Sequence, residues 1–301
     1  MEPEINVQRQ EVLAGCLKTP PDIEKDIYPF KDMKLSRADI EWLLATHEQG
    51  RGPVEWNDIL QRERQGLDLR GANMSKVDLS NLPLARVRGG LDRRTWPNAT
   101  QEQRDQAAVL MDGANLQGAH LEGGILCWGY LTGADLTEAH LERAYLRGTY
   151  LQGAILNDAQ LEGVALNDTH LERASLRRAQ LRGADLREAQ LQNTDLTRTI
   201  LEGTDLRGTR FTDEKQVGPR LADVQWGNVN LAVVDWSQMK MLGNEYEARL
   251  KRQGESREEE EKKRQRSEYA RAARANRQLA VALQAQGLVV VHMRMIARSW
   301  L

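Results

Sequence analysis

The sequence predicts an all-β solenoid, a quadrilateral β-helix with an α-helical N-terminal cap, an inserted helical excursion and a C-terminal helical segment. Three observations predict it. An apolar residue stands at every fifth position, twenty times without a gap, from Leu116 to Phe211, and nineteen of the twenty are Leu. Two residues before each stands a small one: eleven Ala, six Thr, two Gly (Gly124 and Gly129) and Val164. Aromatic residues make up only 5% of the 301-residue chain while Gly numbers 24, which leaves too few large side chains for the core of an ordinary globule of this length.

A period of five matches neither the 3.6 of an α-helix nor the 2 of a flat strand. It matches a chain that turns a corner every five residues and returns above its start after twenty. The Leu and the small residue two before it then both point inward, and the small neighbour leaves room for four Leu per layer. Backbone groups pair with the turns above and below at about 4.8 Å. Gly118, Gly133, Gly148 and Gly183 follow two residues after a Leu, where a tight corner needs a permissive backbone.

The chain divides in order. Residues 1–66 read as an N-terminal tail and helical cap. Ser36-Arg37-Ala38-Asp39 has the form of a capping box, Ile40, Leu43, Leu44 and His47 follow at helical spacing, and Gly50 ends the helix. A second short helix is expected over 57–64, with Trp42, Trp56 and Leu60 packed on the first coil. The β-helix spans 67–243. Its early part keeps the step at Leu69, Met74, Leu79 and Leu84. An insertion over 87–112 interrupts it, with Trp96-Pro97 and then a helix over 101–110 capped by Thr100. This excursion is either a tolerated insertion or a binding loop on one face. After Phe211 the register breaks; Ala222-Asp223-Val224, Val229-Asn230-Leu231 and Val234-Asp235-Trp236 read as a distorted last coil, closed by Trp226 and Trp236. Residues 244–301 form a charged helical segment. The mixed-charge run 257–264 leads into Tyr269, Ala272, Ala273, Asn276, Leu279, Ala280 and Leu283 at helical spacing, ended by Gly287, which read as the first helix of an α-hairpin.

The units Ala134-Asp135-Leu136-Thr137-Glu138, Leu67-Asp68-Leu69 and Ala72-Asn73-Met74 resemble the pentapeptide-repeat family, whose motif is A(D/N)LXX. The resemblance covers 113–211 firmly and 67–86 more loosely. It implies a right-handed β-helix and a protein that binds other macromolecules. Some members of the family mimic a short DNA duplex and protect DNA gyrase from inhibitors. A narrower resemblance joins residues 35–50, 221–242 and 276–287 to a bacterial subgroup in which the repeats and a helical hairpin precede a potassium-channel-type pore. No pore helix or selectivity-filter-like segment follows Gly287, and residues 288–301 do not read as a partner helix. On that reading the chain is a soluble relative or a truncated product.

Composition narrows the function. The net charge of −2 supplies no field that drives the chain onto nucleic acid or an anionic membrane. Cys16 and Cys127 form neither a disulfide framework nor a zinc motif, which fits a cytoplasmic setting. No signal peptide is read at the start and no spanning segment along the chain. GxSxG, HExxH, phosphate-loop and GxGxxG patterns are all absent, so the chain reads as a non-enzyme with no catalytic, cofactor or metal residues assigned.

Residues twenty apart become vertical neighbours, so surface ladders can be read directly. Tyr130, Tyr150 and His170 stack on one face. Arg147, Asn167, Arg187 and Arg207 stack on another, beside Asp185 and Asp205. Glu122, Glu142, Glu162, Arg182 and Glu202 stack on a third, beside His120 and His140. The acidic column reads as a solvated face relieved by Arg143, Arg182 and salt, with phosphate mimicry or a divalent ion as its other readings. Exposed aromatics favour interfaces, so the candidate partner surface comprises Tyr130, Tyr150, His170, Arg147, Arg187, Arg207, Glu122, Glu142 and Glu162. The function expected is a protein-interaction scaffold or regulatory module, possible also as a homo-oligomer. A DNA-mimicking gyrase inhibitor and the cytosolic part of a channel protein are the alternatives. Residues 113–211 hold 13 acidic and 10 basic side chains, a net of three negative charges, far fewer than the one per about 1.7 Å of duplex DNA.

Overall fold

The computed structural model describes residues 5–253 and 259–288. Expectations placed on the extreme N-terminus, on 254–258 of the charged run and on the tail from 289 lie outside these residues. No helix among the described residues is long and apolar enough to cross a membrane.

The five-residue step builds a coil with a twenty-residue turn. Four columns of parallel bridges run along it: Tyr130, Tyr150, His170, Gln190 and Arg210; Asn115, Asp135, Ile155, Ser175 and Asp195; His120, His140, Gln160, Gln180 and Ile200; Ile125, Tyr145, Ala165, Asp185 and Asp205. Within one step most backbone N–H groups find a partner on a neighbouring turn or across the corner. Tyr150 N–H donates to the Gly129 carbonyl at 2.9 Å, Leu151 N–H to the His170 carbonyl at 2.8 Å, and Ala154 N–H closes the corner on the Leu151 carbonyl at 3.0 Å. All twenty inward positions are buried, Leu116 at 0% exposure and Phe211 at 4%. Among the described residues every bridge is isolated, with no strand longer than a single pair. Two residues of each five form the corner and two point inward, so one is left to pair outward on each face.

Gly118, Gly133, Gly148 and Gly183 occupy the tight corner position expected of them, and other residues share it. The second residue of each corner is left-handed throughout, with φ of 59° at Gly118 and 64° at Gly148, but also 58° at Glu138, 60° at Asp168 and 63° at Trp128. A non-Gly residue there costs on the order of 1–2 kcal/mol. The coil imposes it because the next turn's hydrogen bonds fix the corner from both sides.

The small inward position accepts Thr for a reason the sequence does not display. Thr149, Thr169, Thr194, Thr199, Thr204 and Thr209 are all buried. Each hydroxyl donates to the carbonyl of a Leu twenty-three residues earlier, at 2.8 to 3.0 Å, as in Thr199 to Leu176. The hydroxyl is thereby satisfied inside an apolar core.

At the N-terminal end, α1 (Val7–Lys18) precedes the expected helix and was not foreseen. Its Leu13 is fully buried. α2 (Arg37–Gly50) has the capping box of Ser36 and Asp39 that the sequence predicts, but leaves helical geometry at His47, Glu48 and Gln49 before Gly50. Arg9 clamps α1 to α2 through two 2.9 Å hydrogen bonds to Asp39. The helix expected over 57–64 is absent. Asp58, Gln61 and Arg64 instead make successive three-residue turns, and Leu60 is 85% exposed rather than packed. Trp42 does pack against the core, and the Trp56 ring lies against Gly123, within 2.8 Å of where a Cβ would stand.

The insertion leaves the register intact. Asn73 bridges Leu110 and Arg88 bridges Ile125, thirty-seven residues apart in place of twenty. The seventeen extra residues leave after Arg88 and return before Leu110, at the corner that Trp128 and Gly148 occupy on the next two turns. They contain a 3-10 turn (Trp96–Asn98) and α3 (Gln101–Ala107), capped by Thr100 and Gln103. α3 stops short of the expected residue 110, because Leu110 is drawn into the bridge column. Beyond Phe211 the turn lengthens to twenty-five residues, Asp195 bridging Arg220 and Ile200 bridging Gln225. Trp236 then closes the end, stacked on Phe211 at 5.7 Å and edge-on to Trp226 at 6.4 Å.

α4 (Gly243–Gln253) and α5 (Glu259–Ala285) pack on each other. The segment expected to begin a hairpin is therefore its second helix, with α4 as its partner. α5 also seals the last coil: the Gln278 and Gln286 side-chain oxygens accept from the N–H groups of Asp223 and Leu231, both at 2.8 Å.

Two outcomes are expected. Thr199→Val keeps the volume but removes one of the two hydrogen bonds to the Leu176 carbonyl, leaving it the Ala179 N–H at 3.1 Å, and should destabilise the coil by about 1 kcal/mol in denaturant unfolding, with Thr199→Ser recovering part of it. Asp39 is held below its ordinary carboxylate value: burial works upward and is outweighed by hydrogen bonds from Arg9 and Ser36. Its contribution is present above the ordinary value of 3.8 and fades as pH falls through the lower folded value. Asp39→Asn should therefore speed hydrogen exchange in α1 at neutral pH, and the difference from the parent protein should shrink in acid.

Candidate functional site

The excursion and the tyrosine face meet at one corner of the coil. Arg147, Asp168 and Glu188 occupy corner positions leading into the face that carries Tyr150, His170, Gln190 and Arg210. The Tyr130, Tyr150 and His170 rings stack at 4.8 Å between centroids for each pair, tilted by 9° and 8°. The ladder foreseen from the twenty-residue repeat is thus present. Gln190 continues it with a 3.0 Å hydrogen bond to His170 Nδ1.

The excursion docks on this corner through cations laid over indoles. The Arg104 guanidinium lies 5.9 Å from the Trp96 ring centre and 5.1 Å from that of Trp128, and Arg147 lies 4.0 Å from the Trp96 ring. Each such contact contributes about 0.5–2 kcal/mol, more as it is desolvated. Trp128 covers Gly148, where a Cβ would stand 2.4 Å from its ring; only a residue without a side chain fits beneath it. Trp128 is also left-handed, a rare conformation for a bulky residue. The α3 carboxylate of Asp105 accepts from the Tyr130 hydroxyl at 3.3 Å, and burial, with Asp105 beside it, pushes the Tyr130 phenol up to about 12.

An open cleft of about 390 Å³ results, lined by Trp96, Arg104, Trp128, Arg147, His170 and Arg210 among others. Arg104 Nε, Arg147 Nε and Trp128 Nε1 are buried around it and find no acceptor among the described residues. Trp96, Arg104 and Trp128 were not foreseen as site residues, because the sequence does not show which corner the excursion covers.

The structure separates the other expected residues from this cleft. Arg187 and Arg207 share the column of Arg147 but are engaged with carboxylates, Arg187 to Asp185 at 2.6 Å and Arg207 to Asp205 at 2.5 Å. Such exposed pairs add about 0–1 kcal/mol each. Arg147 keeps a 2.7 Å pair to Asp168 while it stacks on Trp96. Glu122, Glu142 and Glu162 lie at the adjacent corner, a quarter turn away, beside the His120 and His140 column. The fully solvated acidic face expected there is corrected by burial: Glu122 is only 3% exposed. Arg182 lies 4.0 Å from Glu162 and 3.6 Å from Glu202, the relief read from the sequence.

Trp96→Ala should loosen the excursion. Hydrogen exchange over residues 87–112 is expected to rise by about tenfold, as loss of contacts of this size implies, while the 130–211 coil stays protected.

The family model for pentapeptide repeats matches the chain in eight copies, over residues 130–168, 154–189 and 174–213. No curated protein matches it. Among solved structures the chain is similar to Rfr23, a pentapeptide repeat protein from the cyanobacterium Cyanothece 51142, at 23% identity over 53% of this chain and 90% of that one, with a TM-score of 0.30. It is similar to QnrB1, a plasmid-mediated fluoroquinolone resistance protein, at 17% identity over 64% of this chain and 85% of that one, with a TM-score of 0.36. It is also similar to HetL, a pentapeptide repeat protein involved in heterocyst differentiation regulation in Nostoc sp. strain PCC 7120, at 20% identity over 56% and 81%, with a TM-score of 0.19. At these scores the likenesses carry no argument about role.

Proposed function

We propose that this chain, which belongs to the pentapeptide-repeat family through residues 130–213, is a non-catalytic protein-interaction scaffold that binds a protein partner at the corner where the excursion meets the tyrosine face. In this reading residues 67–243 form a right-handed quadrilateral β-helix, 1–66 cap it, and 244–301 are a separate helical segment. One observation carries the proposal. The excursion is pinned so that Trp96, Trp128, Arg104 and Arg147 frame a cleft beside the exposed edge of the Tyr150–His170 stack. Trp, Tyr and Arg on a rigid backbone are the residue types that dominate binding energy at interfaces. Because their positions are fixed before binding, little conformational entropy is lost on contact.

The duplex-mimicking alternative has weaker support. Asp185, Asp205 and Asp158 are each neutralised by an Arg within 2.6 Å, and no continuous anionic stripe runs along that part of the coil.

A photo-crosslinking side chain placed at Tyr150, and at Gln180 on the face half a turn away, tests the proposal in the source cells. A discrete protein adduct at position 150 that Arg147→Glu removes is the expected result. No adduct at either position would overturn the scaffold reading, and an adduct at position 180 alone would overturn the choice of face. Gyrase supercoiling should be unaffected by micromolar protein.

A further inference from the structure

We infer that His120, Glu122 and His140 form a binding site for a divalent first-row transition ion of the zinc class, bridging two successive turns of the coil. One ligand atom from each of the three lies within 4.8 Å of the others. His120 and Glu122 come from one turn and His140 from the next, brought above His120 by the bridge between them. Two imidazoles with one carboxylate suit zinc, cobalt or nickel; magnesium and calcium prefer oxygen ligands alone.

The second observation is the state of Glu122. Its side chain is 4% exposed. One oxygen lies 3.0 Å from His120 Nδ1, and the other is buried with no donor among the described residues. A buried carboxylate left half-satisfied is costly, and a cation is what it lacks. The corner position itself contributes to this, since Gln152, Glu172 and Gln192 at the equivalent corner of another column also bury an unpartnered oxygen; what distinguishes Glu122 is that two imidazoles, His120 and His140, converge beside it. In the Glu122 column the carboxylates of Glu142 and Glu162 follow at one-turn intervals, each with a buried unpartnered oxygen. Three stacked anions one turn apart repel, and a divalent ion at the end of the column offsets that repulsion.

The site has room to close. The two imidazoles stack at 4.6 Å with a 9° tilt, so their nitrogens run side by side and the rings must turn to converge on one ion. Their side chains are 44% and 30% exposed, which leaves the outer ring free to rotate. Open water can fill the remaining coordination position, with Glu142, 3.7 Å from His140, as the nearest further carboxylate. The Arg86 side chain passes over Gly123 next to the site, with its Nε directed to the Arg64 carbonyl at 3.3 Å.

The molecule supplies its own control. His170 and Glu172 repeat the same spacing, at 3.6 Å, but the neighbours of His170 in its column are Tyr150 and Gln190, so no second imidazole converges there. Titration of the full, chelator-stripped chain with zinc, and with cobalt followed by its visible absorption, tests the site. One ion per chain is expected, with affinity reduced on the order of a hundredfold or more in His140→Gln and Glu122→Gln, and unchanged in His170→Gln. Gln stands in the same column at Gln160 and Gln180, so His140→Gln retains the coil, and far-ultraviolet circular dichroism verifies it. No binding of zinc or cobalt by the parent chain overturns the inference. So does binding that His140→Gln and Glu122→Gln leave intact, or that His170→Gln abolishes.

Discussion

The molecule depends on a single constraint: an inward Leu at every fifth residue must find a flat layer of four, so the chain has to turn after each one. All other regularities follow. Turning every five residues fixes a twenty-residue circuit, and the circuit sets each outward residue directly over its counterpart one turn below. The backbone closes its hydrogen bonds on the neighbouring turn, and so it also holds non-Gly corners such as Glu138 and Asp168 in a left-handed conformation they would otherwise avoid. Local strain is tolerated because the bonds above and below leave the corner no alternative.

That constraint explains why the excursion is accommodated and where it goes. A loop can leave a coil only at a corner, since every facing residue is committed to a bridge. The seventeen extra residues leave at one corner and rejoin in register, so Arg88 still bridges Ile125 and Asn73 still bridges Leu110. The same logic holds at the other end, where five extra residues after Phe211 lengthen one turn without unstacking it. Insertions therefore move the surface while leaving the core periodic. They also place chemistry that the repeat cannot supply, such as Trp96 and Arg104, against residues that the repeat does supply.

The coil and its ladders were legible in the sequence because they depend on one rule applied repeatedly: the distance along the chain equals the distance around the circuit. Tyr130, Tyr150 and His170 could be stacked on paper for that reason, and Ser36 with Asp39 could be read because a capping box is local. What was missed needs contacts between segments that no period relates. α1 has a single fully buried side chain, Leu13, too little to make an apolar stripe. Residues 57–64 have enough Leu and Arg to suggest a helix, but Asp58 draws the chain into turns by accepting from the Leu60 N–H at 2.9 Å. The docking of Trp96 between two Arg side chains depends on which corner the excursion leaves, and the C-terminal hairpin on α4, a short and mostly polar helix.

A repeated coil also tells where to look for function. Each outward column is independent of the core, because its residues face water and contact mainly their own kind above and below. A column that repeats one compatible type, or lies beside a column of opposite charge as Asp185 and Asp205 lie beside Arg187 and Arg207, satisfies itself and needs no partner. The informative positions are those where a column carries something it cannot satisfy internally: aromatic rings and unpaired indole and guanidinium N–H groups at one corner, and a buried carboxylate beside two imidazoles at the next. These two places use different side chains on different columns. A ligand at one leaves the other's geometry unchanged, so the same rigid core can present two separate recognition surfaces.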